Sequence, residues 1–267
     1  RQLGLRADIT SQIARINSTY GNLDEINRYC YFDHVVRTNS KDSKGSRIPI
    51  QAGAELIGNS DIENDVEIVN LMLDVVKIFS EKKIYLDLGH VGIFKKLINS
   101  ANLKKEDEKN IKELIKSKSS SEIKKYMNTL HVDNNLKNCI CDFPKMHGTI
   151  KNILRDSNNI ISFDPAIEDD IKYMVGLCNL INKNHSDVEI KYDFCELPGF
   201  DYETGILMSV YIENDSHEVA IGGKYNFDDG SLSGIGFSVD VRYLIRNQNK
   251  SDISNKSGKW IIEDNHE

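Results

Sequence analysis

The sequence predicts an α+β fold, an antiparallel sheet flanked by helices and interrupted by a helical insertion. Three observations carry this. Two amphipathic helical patterns stand on either side of a polar, highly charged stretch. Four short strand-like runs follow one another from Val188 onward, and the composition shifts near residue 100 and back near 160. Strands gathered after helices, rather than alternating with them, favour an antiparallel sheet over a doubly wound one.

The elements follow in order. Ser60 followed by Glu63 makes a capping box, and Val66, Val69, Leu71, Leu73, Val76 and Phe79 recur at near-helical spacing. This predicts a helix over about 60–80 whose apolar face lies on the sheet. Ile84 to Leu88 is short, β-branched and aromatic, as a buried strand is, and Gly89 to Ile98 supplies the turn and helix after it. From 99 to 161 charged runs such as Lys104 to Lys109 leave only sparse apolar positions, among them Ile111, Leu114, Ile115 and Met127. That pattern suits small helices with a solvated face. A second amphipathic helix runs over about 167–183 through Ile171, Met174, Val175, Cys178 and Ile181. The strands are then Val188–Phe194, Ile206–Ile212, Glu218–Ile221 and Ile235–Val239, with Asn214-Asp215-Ser216 as a hairpin turn. The expected division is a discontinuous core of 1–98 and 162–246, a helical insertion of 99–161, and a loosely ordered tail of 247–267 rich in Asn, Ser and Lys.

Composition narrows the function. A chain of 267 residues with 39% hydrophobic content buries a full core. Its 41 acidic and 34 basic residues give a net charge of -7, which argues against broad non-specific binding to nucleic acid. The five cysteines (Cys30, Cys139, Cys141, Cys178, Cys195) are scattered, and Cys139-x-Cys141 has no second pair or histidine at zinc spacing. Reduced thiols of a cytoplasmic protein, with no metal and no cofactor, are expected. No run of about 18 apolar residues is present to cross a membrane, and no signal peptide precedes the first recognisable segment. The motif-like opening from Leu3 to Ile16 points to further residues ahead of Arg1.

Motifs that carry chemistry are few. Gly222-Gly223 and Gly234-Ile235-Gly236 are weak as phosphate loops, because no strand-to-helix Gly-x-Gly-x-x-Gly surrounds them. No Ser-His-Asp or Cys-His arrangement stands out, and His34 and His90 have no metal-ligating neighbours at suitable spacing. Gln51 and Glu55, four residues apart on one strand, share a face. They fit either a pocket or a bonded polar pair in the core. Asp8, ahead of a helical pattern, fits a ligand carboxylate or an N-cap. Tyr202 and Tyr225 fit ligand walls or core aromatics.

Five segments in order carry a resemblance. They are Leu5-Arg6-Ala7-Asp8-Ile9-Thr10, Gln51-Ala52-Gly53-Ala54-Glu55-Leu56-Ile57-Gly58, Leu197-Pro198-Gly199-Phe200-Asp201-Tyr202, Gly222-Gly223-Lys224-Tyr225, and Gly234 to Leu244. Together they resemble the catalytic core of histidyl-tRNA synthetases, a class II synthetase fold. The first is similar to that family's Leu-Arg-Pro-Glu-Gly-Thr and the third to its Val-Arg-Gly-Leu-Asp-Tyr. The wording, with Leu86-Asp87-Leu88-Gly89-His90-Val91-Gly92 added, is closer to the HisZ family, the synthetase-like regulatory subunits of short-form ATP phosphoribosyltransferases. The likeness runs from about Leu5 to Ile245.

Departures from the synthetase pattern imply that adenylation is lost. The third-motif arginine that grips the ATP phosphates is Tyr243 here, in Asp240-Val241-Arg242-Tyr243. The Arg-x-Glu of the second motif falls on Arg37-Thr38-Asn39, and the arginine of the histidine signature is Pro198. Deleting one preorganised donor typically costs on the order of 100 to 1,000-fold. The amino-acid pocket is better kept: the resemblance implies a histidine-binding set of Asp8, Thr10, Arg37, Gln51, Glu55, Tyr202 and Tyr225. In it Asp8 takes the ammonium and the tyrosines wall the imidazole, while the second tyrosine of the signature is Glu203.

What the resemblance implies is a non-catalytic regulatory subunit of ATP phosphoribosyltransferase, at the first step of histidine biosynthesis. It would activate a separate catalytic subunit and bind free histidine for feedback inhibition, as a homodimer within a hetero-oligomer, with no nucleic acid or membrane partner. A stand-alone histidine sensor and a degenerate histidyl-tRNA synthetase are the alternatives. The acidic charge counts against the second.

Overall fold

A computed structural model of the chain describes residues 4–22, 25–38, 46–58, 61–101, 103–197, 202–227 and 232–248. The strands are β1 (Asn27–His34), β2 (Ile50–Ile57), β3 (Ile84–His90), β4 (His147–Thr149), β5 (Glu189–Asp193), β6 (Glu203–Ile212), β7 (Ala220–Phe227) and β8 (Leu232–Asp240). They form one sheet in the order β1-β2-β8-β7-β6-β3-β5-β4. Among the described residues β3 and β5 pair in parallel and every other neighbouring pair is antiparallel.

Strand alternation gives the sheet two different faces. On β2, Ala54 and Leu56 enter the main core, whereas Glu55 and Ile57 point to the other side. The main core lies under α2 (Ile62–Phe79), α3 (Val91–Asn99) and α9 (Ile167–Asn184), joined through Leu73, Val76, Leu97, Met174 and Ile181. Each helix brings apolar residues at three- and four-residue spacing, and burying that stripe is what holds it on the sheet. On the opposite face, a small core of Ile9, Ile13, Val35, Ile57, Tyr225 and Leu232 seats α1 (Thr10–Tyr20) over one end of the sheet.

The segment between α3 and α9 carries α4 (Lys105–Lys116), α5 (Ser120–Met127), α6 (Asn134–Asp142), α7 (Ile153–Asp156) and α8 (Asn158–Phe163). Its sparse apolar residues Ile111, Ile115, Ile123, Met127 and Leu136 are buried in the same core as β3 and α9. It also supplies β4, which closes the sheet against β5. The chain ends its described part in α10 (Val241–Asn247).

Several sequence expectations shift in detail. The first long helix starts at Ile62, and its N-cap is Asp61, whose side chain accepts from the Asn64 amide. Ser60 of the predicted capping box lies outside the described residues. The third predicted C-terminal strand does not stop at Ile221. It runs on as β7 through Gly222 and Gly223, which are needed because a Cβ on Gly223 would stand 2.7 Å from the Ile206 carbonyl oxygen. Those glycines mark close packing inside a strand rather than its end. The first of the four C-terminal strands is parallel to its neighbour β3, since α9 carries the chain back across the sheet as a crossover. The hairpin turn is present, with Asn214 at a φ of 64°. Most of the 247–267 tail lies outside the described residues. Among them, no helix is long and apolar enough to cross a membrane.

Candidate functional site

The side of the sheet away from the large helices opens into a cleft of about 550 Å³. All seven residues singled out from the sequence, Asp8, Thr10, Arg37, Gln51, Glu55, Tyr202 and Tyr225, line it. They come from the turn into α1 and its first residue, from the segment after β1, from β2, from the turn before β6 and from β7. Gln51 and Glu55 project from β2 on the face that their spacing requires.

Glu55 is the centre of the arrangement. It is 1% exposed, and each of its oxygens accepts from a hydroxyl: Thr10 Oγ1 donates to Oε1 at 2.7 Å and Tyr225 Oη donates to Oε2 at 2.8 Å. Burial lifts its carboxyl to about 7, the two hydroxyls pull it back, and the nearby Asp8 charge adds to the rise. Shape matters as much as charge. A Cβ on Gly236 would collide with the Glu55 carboxylate, and one on Gly234 would stand 2.7 Å from the Tyr225 ring. The Gly-x-Gly of β8 therefore makes room for two cleft side chains and is not a phosphate loop.

Asp8 is held beside this group. Its Oδ1 accepts from the Thr10 amide at 3.3 Å and its Oδ2 from Tyr202 Oη at 2.8 Å. The N-cap position of α1 belongs to Ile9 and has no side-chain cap, so Asp8 orients the turn into the helix while keeping its carboxylate in the cleft. Tyr202, Tyr225 and Phe227 form an aromatic wall, with ring centroids of both tyrosines 4.9 to 5.1 Å from Phe227 and the tyrosines edge-on to each other at 6.3 Å. The tyrosines thus pack as core aromatics and face the cleft at once.

Gln51 and Glu55 do not bond each other. Gln51 Nε2 donates to Ser238 Oγ at 3.4 Å, and Gln51 Oε1 is buried without a partner. Arg37 lines the cleft at the same end. Sequence reasoning missed Tyr31, whose Oη donates to the Phe237 carbonyl at 3.3 Å beside Glu55. It also missed Ser209, Ser238, Glu196 and Glu218, which line the far half. Tyr29 and Tyr31 alternate with Cys30 and Phe32 in a β pattern that was available to find β1. The far-half residues meet through strand register, which no local pattern reveals.

Tyr243, at the position that the resemblance gives to the ATP arginine, is buried. Its ring stacks on His217 at 3.7 Å between centroids, and its Oη donates to Asp215 Oδ2 at 2.6 Å. It ties α10 to the turn between β6 and β7. Among the described residues no group of three or more His, Cys, Asp or Glu is placed to hold a metal ion.

A largely antiparallel sheet with the large helices on one face and a polar, tyrosine-walled cleft beside α1 on the other defines a class II synthetase-like module. A family model described as Histidyl-tRNA synthetase matches residues 1–244, and the chain belongs to that family. It is similar to proteins named ATP phosphoribosyltransferase regulatory subunit, 31% identical over 254 residues in Teredinibacter turnerae and 33% over 251 residues in Hahella chejuensis. These alignments cover 93% and 92% of the chain, which spans only 64% and 62% of the length of those relatives. Among solved structures, an ATP phosphoribosyltransferase regulatory subunit/histidyl-tRNA synthetase from Bacillus halodurans superposes with a TM-score of 0.78 at 19% identity, over 91% of this chain and 64% of that one. An ATP phosphoribosyl transferase (HisG:HisZ) complex from Thermotoga maritima gives 0.71 at 17%, over 88% and 80%. At such identities the two structures establish the fold.

Proposed function

We propose that the chain is a non-catalytic regulatory subunit of ATP phosphoribosyltransferase, acting in the cytoplasm at the first step of histidine biosynthesis. It activates a separate catalytic subunit, which transfers phosphoribosyl from PRPP to ATP, and histidine in the cleft carries the feedback signal. Within the hetero-oligomer it pairs as a homodimer. The charged insertion of 99–161 and the region of 60–98 are the candidate surfaces toward the catalytic subunit.

One observation carries this reading: the seven residues of the amino-acid set line one cleft, while the position that the resemblance gives to the ATP arginine is a buried tyrosine locked against His217 and Asp215. The names of the relatives that are 31% and 33% identical support it. Histidine offers an ammonium, which suits Asp8, and an imidazole N–H, which suits Glu55. Feedback then requires that histidine bind one arrangement of the complex better than the other.

The test is phosphoribosyl transfer by a short catalytic subunit with and without this chain, followed by a histidine titration. A rise in rate that histidine reverses is expected, and Glu55→Ala should abolish the reversal without abolishing the rise. An unchanged rate with folded protein would overturn the assignment and leave the stand-alone sensor or the degenerate synthetase.

A further inference from the structure

A second hollow, of about 320 Å³, lies beyond the end of β6 and among the described residues shares no lining residue with the cleft. Phe79 at the end of α2, Ile212 at the end of β6, and Tyr243 and Leu244 of α10 line it. All four belong to the main core or pack against it. Exposed Glu81 and Lys82 line the hollow too and give it both signs of charge. Ile78 and Ile245, next in sequence to Phe79 and Leu244, are 58% and 54% exposed. The volume falls in the range of about 300–1,000 Å³ usual for binding pockets.

The sequence that follows α10 supplies an occupant of matching chemistry. Asn247, the last residue of α10, lines the hollow, and Gln248 after it is extended, with φ −66° and ψ 131°. Residues 249–267, outside the described residues, are polar or charged except for Gly258, Ile253 and the run Trp260-Ile261-Ile262. Lys259 precedes that run and Glu263 and Asp264 follow it, so it carries opposite charges at its two ends, as the hollow does in Glu81 and Lys82. Twelve residues of chain from Gln248 to Trp260 span up to about 40 Å when extended, which puts the run within reach of a hollow that Asn247 lines. An aromatic and two β-branched residues gain most by leaving water together. Tethering holds the run at an effective concentration on the order of millimolar, so a weak intrinsic affinity suffices.

We propose that the hollow bounded by Phe79, Ile212 and Leu244 is the docking site for this chain's own Trp260-Ile261-Ile262, with the indole seated among those three side chains. Glu81 faces Lys259, and Lys82 faces Glu263 or Asp264. The docked run bridges α2 and α10 and bears on Tyr243, whose stack on His217 ties α10 to the turn between β6 and β7.

Trp260 is the sole tryptophan and so reports on its own segment. Its emission and acrylamide quenching in the full folded chain test the docking. A blue-shifted emission shielded from acrylamide is expected, unchanged on dilution because a tethered segment does not depend on protein concentration. Phe79→Ser should shift the emission to that of a solvated indole, and Ile212→Thr serves should the first variant not fold. Tyr20→Ser, 84% exposed on α1, should change nothing. Ile262→Asp alters no described residue; it should unseat the run and quicken hydrogen exchange at 79–82 and 212–215. A solvated Trp260 in the folded chain, or exchange at those positions that Ile262→Asp leaves unchanged, would overturn the docking. So would shielding that survives both hollow variants, or that Tyr20→Ser removes as fully as Phe79→Ser. Shielding lost on dilution would place the run of a second copy in the hollow and overturn docking within one chain. Every readout is taken without histidine or a catalytic subunit, so its outcome is separate from that of the regulatory assignment.

Discussion

A glutamate that is 1% exposed and titrates at about 7 makes folding depend on pH. An unfolded glutamate titrates near 4.3. Between the two values the folded chain holds the extra proton, so Glu55 lowers stability progressively as pH rises through that window, by up to about 3 kcal/mol. Urea unfolding at about pH 5 and about pH 8 should show the chain less stable at the higher pH, with a smaller difference in Glu55→Gln. A residual slope of the same sign is expected from Glu196, also raised to about 7 by burial. The same proton sets binding: an imidazole N–H or ammonium favours the ionised carboxyl, so histidine affinity should rise with pH through about 7, and an isotherm insensitive to pH would contradict the role given to Glu55. Packing around the group is equally exacting. Gly236→Ala forces a methyl group onto the Glu55 carboxylate and within 2.9 Å of the Ala54 carbonyl, and should cost about 1–3 kcal/mol by the same unfolding measurement. All seven residues named from the sequence reach one cleft, and for Gln51 and Glu55 their even spacing on β2 fixes the shared face. Tyr31 on β1, and Glu196 and Glu218 in the turns after β5 and before β7, were illegible because only strand pairing distant in sequence brings them beside the cleft.

At the scale of elements, the helical layer is tied to the sheet by a buried charge as well as by apolar area. Asp65 in the first turns of α2 is fully buried, accepts from Tyr173 of α9, and pairs with Lys224 of β7 at 2.7 Å. Lys224 follows Gly223 and precedes Tyr225, so its neighbour on the strand is a wall of the cleft. Removing one partner of such a pair leaves an uncompensated charge, and Lys224→Met should cost about 3–5 kcal/mol. Asp65→Asn in the same chain should recover part of that loss, since an amide still accepts from Tyr173; a double variant as unstable as Lys224→Met would show that the aliphatic stem of Lys224, and not its charge, holds the layer. None of this was legible, because Asp65 stands in an apolar helix pattern as an ordinary polar residue. The helices and strands themselves were largely legible, since amphipathic period and β-branched runs are local properties. Helix α2 appears over Ile62–Phe79 and α9 over Ile167–Asn184, close to the windows read from their apolar spacing. What failed was strand extent at glycines, as in β7, and the parallel partnership of β5, both of which depend on neighbours distant in sequence.

For the whole molecule the question is whether the charged segment of 99–161 behaves as a separate body or as part of one cooperative unit. Its surface is polar, yet its few apolar residues enter the same core as β3 and α9. Phe143 is 1% exposed, stands edge-on to Phe94 of α3 at 6.2 Å, and lies 5.9 Å from Phe194 beyond β5. Beta strand β4 adds hydrogen bonds between the segment and the sheet. Such shared burial couples the segment to the layer that backs the cleft, so the chain is expected to unfold as one transition. Phe143→Ala should cost about 3–5 kcal/mol. Because the core is continuous, that loss should appear as faster hydrogen exchange in β2, β7 and β8 as well as in α4 to α6. The sole tryptophan, Trp260, lies outside the described residues, so exchange measured segment by segment is the better probe. Exchange that quickened only between 99 and 161 would mark the segment as an autonomous body, able to move without disturbing the cleft. Exchange that quickened throughout would mean that a partner pressing on the insertion also presses on the sheet carrying Glu55 and Tyr225, the physical link that a feedback signal requires.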